Sequence, residues 1–188
     1  MVDVDFVPMP NLYESLKRDL NGVFNSKLAN KTNAALVIPA FSVNNSDAFP
    51  QTKQDIIRTW QKTLTIFRGD YALAKGLLFK IWAQTNDVIH LPFQLRTECY
   101  YVIEREYSPK YQDIFLQRWY DKIAHFYELY SIGFRFWIYP SGYIIHMPHK
   151  EVKGELIQSS KYCAQMYFRN DFQPHMRELQ RYHNVTFK

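Results

Sequence analysis

The chain opens Met1-Val2-Asp3-Val4-Asp5-Phe6-Val7-Pro8, an apolar run broken by two aspartates one residue apart. In a strand, side chains alternate between faces, so Asp3 and Asp5 point the same way, while Val2, Val4 and Phe6 suit a sheet buried on both sides. Two carboxylates on one face repel each other unless a cation sits between them. A hard divalent ion, Mn2+ or Mg2+, is the natural partner, because it takes oxygen donors and keeps positions open for phosphate oxygens. A solvated turn with two unrelated aspartates accounts for the same residues, since a bare D-x-D is a common triplet.

The rest of the chain bears on that choice. At 188 residues it is long enough for one domain with a real core. Its net charge of +5 is spread out, with no run of five or six basic residues. That pattern argues against a nucleic-acid footprint and suits an anionic small ligand. The aromatic share of 17% is high enough to fill a core and still leave flat platforms for sugar rings. Cys99 and Cys163 have no zinc spacing and do not require a disulfide. No uninterrupted apolar segment is long enough to span a bilayer, and the start does not read as a signal peptide. Three glycosylation triplets begin at Asn30, Asn44 and Asn184, and they matter only in the secretory pathway.

Helical and extended patterns alternate, which predicts an α/β fold. Asn11 as cap, Glu14 three residues later and Leu12, Leu16 and Leu20 on one face predict a helix stopping near Asn21-Gly22. The run from Ala34 to Phe41 predicts a buried strand. A helix is expected from about Lys53 to Lys62 with Ile56, Ile57 and Trp60 inward, and another over Tyr120–Tyr130. Cys99 to Arg105 is strand-like. Phe134–Tyr139 and Gly142–His146 read as two strands joined at Pro140-Ser141-Gly142. A terminal helix over Gln158–Tyr182 is expected to be interrupted near Pro174.

A second chemical cluster ends the later strand: Ile144-Ile145-His146-Met147-Pro148-His149-Lys150. Imidazole ligates Mn2+, and Lys or protonated His neutralises phosphate. The aspartate pair and a distant strand-end histidine therefore suffice to begin one octahedral site, with a diphosphate in the remaining positions.

With these residues in view, the chain resembles the LARGE-type glycosyltransferases, glycosyltransferase family 49. The similarity runs in order through Val2–Pro8 with Leu12-Tyr13, Ala35–Phe41, Phe49-Pro50 with Lys53, Lys75-Gly76, Glu98–Val102, Lys122–His125 with Glu128-Leu129, and Tyr143–His149. The resemblance implies a GT-A fold and a Mn2+-dependent (or Mg2+-dependent) inverting transfer from a UDP-sugar to a glycan hydroxyl. Glucuronate is the sugar that it suggests. It also implies residence in the Golgi lumen as a type II membrane protein. On this resemblance Asp3, Asp5 and His146 are the metal ligands, and His149, Lys150 and Lys75 lie near the donor. Asp121 and Glu98 are the candidate bases. Each has a plainer reading, Asp121 as a favourable charge at a helix start and Glu98 as a paired structural carboxylate.

The sequence also departs from the family pattern. Ser42 replaces the usual Glu after the Pro39-Ala40-Phe41 run, the H-x-P-T-N pattern is absent after Gly76, and Asp121 stands where Asn is typical. These changes bear on donor and acceptor identity and allow a non-catalytic carbohydrate-binding relative as the alternative. A hydrolase is disfavoured, because aspartates one residue apart on a strand are too close to flank a glycosidic bond at the roughly 5–9.5 Å that hydrolysis uses. Because only Met1 and Val2 precede the D-x-D, residues 1–188 are expected to be the C-terminal part of a catalytic domain. The nucleotide-binding half and any membrane anchor would then lie outside this chain.

Overall fold

The computed structural model describes residues 3–21, 33–43, 49–67, 77–115, 120–149 and 155–185. Within them the chain is mixed α/β. The eight strands among these residues form two four-stranded sheets with both parallel and antiparallel neighbours. One sheet contains β1 (Phe6–Pro8), β8 (Ile144–His146), β3 (Ala40–Val43) and β4 (Leu64–Ile66), in that spatial order. The other runs β5 (Ile89–Leu91), β7 (Arg135–Ile138), β2 (Ala34–Ile38), β6 (Tyr100–Val102).

The apolar run expected as one strand is therefore two. Pro39 lies between β2 and β3 and cannot donate to a ladder. Its carbonyl accepts from Ile144 N–H at 2.9 Å, and the chain passes from one sheet to the other at this residue. The strands on either side of Pro140-Ser141-Gly142 divide in the same way: β7 pairs in parallel with β2, and β8 in parallel with β3.

Among the described residues there are six α-helices. They are α1 (Leu12–Asn21), α2 (Lys53–Thr59), α3 (Leu77–Gln84), α4 (Asp121–Ser131), α5 (Glu155–Tyr167) and α6 (Gln173–Tyr182). In α1, Leu12, Leu16 and Leu20 pack on Phe6, Leu36, Ile38 and Ile144, as their spacing predicts. Helix α2 starts with a capping box, Thr52 and Asp55 each satisfying the other's backbone N–H. The terminal helix is interrupted at Phe168–Phe172, a π-helical turn just before Pro174, which buries Phe168 and Phe172 against Phe115. The larger core joins Phe41, Trp82, Phe126, Phe136, Tyr143 and Met176, all buried. It fixes α4 and β8, the two elements that carry the functional side chains. No helix among the described residues is long and apolar enough to cross a membrane.

Candidate metal centre

The opening strand begins later than the alternation suggests. Asp3, Val4 and Asp5 precede β1 in a turn closed by Phe6 N–H donating to the Asp3 carbonyl at 3.1 Å. Period-two alternation therefore does not govern the aspartates. Val4, expected to be buried, is fully exposed, and only Phe6 of the described pair enters the core. The two carboxylates are consequently sent to different partners.

Asp5 joins the histidines. Antiparallel pairing of β1 with β8 sets Phe6 opposite His146, and Met147 N–H donates to the Asp5 carbonyl at 2.8 Å. This register brings Asp5 Oδ2 to 3.3 Å from His146 Nε2 and 3.0 Å from His149 Nε2. One ligating atom from each of the three residues lies within 4.8 Å of the others. The His146 ring is steadied by Phe6 and Phe67, with ring centroids 5.1 and 4.8 Å away.

Asp3 goes to a lysine. Lys122 Nζ donates to Asp3 Oδ2 at 2.5 Å, to the Tyr100 hydroxyl at 3.3 Å, and pairs with Glu98 Oε1 at 2.9 Å. The Tyr100 hydroxyl donates to the same Asp3 oxygen at 2.8 Å. Burial disfavours the ammonium, but Glu98 and Asp3 outweigh it and hold Lys122 protonated well above its ordinary range. Burial likewise raises the Tyr100 phenol, so it remains a neutral donor. Phe6 touches both groups, since its ring lies 4.6 Å from that of Tyr100 as well as against His146.

Of the residues expected at the site, the structure thus brings Asp5, His146 and His149 into one cluster. Asp3 and Glu98 are held together by Lys122. Asp121 is the first residue of α4, one before Lys122. Lys75 and Lys150 lie outside the described residues. Tyr100, Lys122 and Phe67 had no assigned role in the sequence reading. The first two stood in the matched segments, but nothing local marks them as partners of a residue near the chain start. Ser42, which replaces the usual Glu of the family pattern, is in β3 and stands in register with His146.

The donor set fits a divalent ion. In an octahedron with bonds of about 2.1 Å, neighbouring donors lie about 3.0 Å apart, close to the two separations from Asp5. The other Asp5 oxygen, Oδ1, is buried without a hydrogen-bond partner, an arrangement that a cation would relieve. Two imidazoles and one carboxylate suit Mn2+ better than Mg2+, which favours oxygen donors.

The family profile described as "Glycosyl-transferase for dystroglycan" matches residues 1–182. The chain belongs to glycosyltransferase family 49. It is similar to the xylosyl- and glucuronyltransferase LARGE1 of Mus musculus, with 32% identity over 152 residues, covering 78% of this chain and 19% of the relative. The corresponding LARGE1 of Danio rerio is 33% identical over 152 residues, with the same coverage. The human xylosyl- and glucuronyltransferase LARGE2 is 27% identical over 159 residues, covering 78% of this chain and 20% of the relative. The chain therefore spans about a fifth of the length of these curated relatives.

Proposed function

We propose that this chain carries the metal-binding part of a GT-A glycosyltransferase site, which transfers a sugar with inversion from a UDP-sugar to a glycan hydroxyl in the Golgi lumen. Glucuronate is the proposed sugar, since the similar proteins are named as xylosyl- and glucuronyltransferases. The observation that carries the reading is the convergence of Asp5, His146 and His149 around a buried, unpartnered carboxylate oxygen.

In this mechanism Asp5, His146 and His149 would hold Mn2+. When bound, the ion offsets the negative charge that builds on the departing UDP. Phe6 and Phe67 keep the His146 ring in place and water away from one side of it. The net positive charge of the chain favours the anionic donor. A carboxylate takes the proton of the acceptor hydroxyl as that oxygen attacks the anomeric carbon from the face opposite UDP. Glu98 is already committed to Lys122, which leaves Asp121 as the proposed base.

A second reading, a carbohydrate-binding relative without turnover, draws on Ser42. A neutral side chain stands beside His146 where the family pattern has a carboxylate. One experiment separates the two. Mn2+ binding is followed by calorimetry and by the electron paramagnetic resonance of the ion, and UDP release is measured with UDP-glucuronate and an oligosaccharide acceptor. The transferase reading expects saturable Mn2+ binding, loss of binding in Asp5→Asn, and release that stops with chelator. Mn2+ and UDP binding with no release would favour the second reading. Equal Mn2+ binding by the chain and by Asp5→Asn would reject the metal centre itself.

A further inference from the structure

Helix α6 ends in a cap built around one asparagine. Val185 N–H donates to the Gln180 carbonyl at 2.8 Å, and Asn184 N–H to the Arg181 carbonyl at 3.3 Å. This pair of bonds is the Schellman arrangement, which needs a left-handed residue just past the helix. Asn184 supplies it, with φ at 52°. Val185 follows, 8% exposed and part of the larger core. Glycine takes the left-handed position with least strain, and asparagine takes it less often. The cap bonds use only the backbone of Asn184, and the residue is exposed.

Two features of this helix end lie outside the cap bonds. The first is the triplet Asn184-Val185-Thr186, an acceptor for N-linked oligosaccharide in the secretory pathway. The second is the side chain of Tyr182, two residues before the asparagine. It is 82% exposed, and its ring meets His183 edge-on, with centroids 5.0 Å apart and planes at 85°. So exposed a ring adds little to the core, whereas its flat, amphipathic body suits the apolar face of a sugar.

We propose that Asn184 is an N-glycosylation site, with Tyr182 as the ring against which the first sugar packs during transfer; this rests on the lumenal placement in the function proposed above. The acceptor segment is taken up extended, before the cap closes. In an extended chain residues two apart share a face, so Tyr182, Asn184 and Thr186 stand on one side, and His183 and Val185 on the other. The Asn184 amide Nδ2 attacks the anomeric carbon of a lipid diphosphate-linked oligosaccharide. The new N–C bond forms, the bond from that carbon to the phosphate oxygen breaks, the lipid diphosphate leaves, and Nδ2 gives up one proton to solvent. Folding then buries Val185 and closes the cap through backbone groups, with the sugar outside.

The test expresses the whole chain behind a cleavable secretory leader in cultured mammalian cells. Total protein from cells and medium is digested with trypsin, treated with peptide-N-glycosidase in heavy-oxygen water and read by mass spectrometry. Arg181 and Lys188 bound a peptide of residues 182–188, so Asn184 is scored apart from the triplets at Asn30 and Asn44. Most copies are expected to carry the heavy-oxygen label at residue 184. Thr186→Val is expected to abolish it. Tyr182→Ala is expected to lower occupancy about twofold or more, and Tyr182→Phe to keep it. Asn184→Gly removes the glycan and keeps the left-handed cap, so it is expected to melt at or above the temperature of Thr186→Val.

An unlabelled peptide overturns the proposal, because Asn184 then serves the cap alone. Equal occupancy in Tyr182→Ala overturns the role given to its ring. So does melting of Asn184→Gly well below Thr186→Val overturn the proposal, since the asparagine side chain would then be supporting the fold. Transfer precedes folding and total protein is read, so a variant that folds poorly still reports its occupancy. The leader imposes entry into the lumen, so failure here leaves the transferase reading intact. Failure of that reading shows instead in the Mn2+ and UDP-release measurements and leaves the label at Asn184 in place.

Discussion

Gly142 leads into the strand that carries His146, and replacing it with alanine tests how tightly that strand is seated. A Cβ at this position would lie 2.5 and 2.7 Å from ring carbons of Tyr139 and 2.6 Å from Leu12 Cδ1. Glycine is required here for lack of space. The Tyr139 ring cannot retreat easily. It is fully buried, its hydroxyl donates to Asp19 at 2.8 Å, its N–H donates to the Val37 carbonyl at 2.8 Å, and its own carbonyl accepts from Trp82 Nε1 at 3.0 Å. Leu12 is partly buried and packs on the smaller core, so its retreat costs less than that of Tyr139 but is not free. Gly142→Ala therefore costs the upper part of the overpacking range, about 2–3 kcal/mol. At this chain length that lowers the melting temperature by roughly 4–12 °C. Urea unfolding is the assay: the midpoint falls and the slope stays constant. Adding Leu12→Ala removes one contact and returns part of the loss relative to the sum of the single changes, while the Tyr139 overlap remains. Because β8 must shift to accommodate the methyl, Mn2+ affinity falls in the same variant. An unchanged midpoint would refute the reasoning, as would full additivity of the two substitutions.

Two further outcomes follow from the same contacts. Phe67→Ala frees one side of the His146 ring, and Mn2+ affinity is expected to fall several-fold while far-ultraviolet circular dichroism stays unchanged; equal affinity would show that Phe67 does not position the ligand. Burial lowers the pKa of His125 from its ordinary 6.5, with its Nε2 at 2.8 Å from the Pro109 carbonyl and the Tyr101 hydroxyl at its Nδ1. The unfolded chain then takes up a proton first as pH falls, so the stability from neutral His125 is present above about 6.5 and is lost as pH falls through the window below it. Urea midpoints measured from pH 7.5 to 5 are expected to decline in the unaltered chain and to decline less in His125→Gln; parallel curves would exclude the effect.

Much of the helical architecture was legible locally. Leu12, Leu16 and Leu20 recur at the helical period, and the break before Pro174 lies where a missing N–H predicts it. The run at residues 34–43 was harder to resolve, because an apolar strand buried in either sheet has the same composition. Only the pairing partners, β7 and β6 for one half and β8 and β4 for the other, distinguish them. Lys75 and Lys150, read as donor contacts, lie outside the described residues.

The candidate site shows the same boundary between local and distant information. His146 and His149 flank Pro148 just after a strand, so their proximity could be anticipated from the chain itself. The fate of the aspartates could not. One residue apart, Asp3 and Asp5 satisfy the strand period, yet a single hydrogen bond from Phe6 N–H to the Asp3 carbonyl makes the segment a turn and sends its side chains apart. What receives them comes from far along the sequence: Lys122 and Tyr100 for Asp3, His146 and His149 for Asp5. Each carboxylate, now apart from the other, still has to be partnered where it is shielded from water. The fold meets the requirement for Asp3 with an ammonium of its own. For Asp5 it supplies two imidazoles and a buried oxygen without a partner, which is why the proposed divalent ion is assigned to that side of the turn.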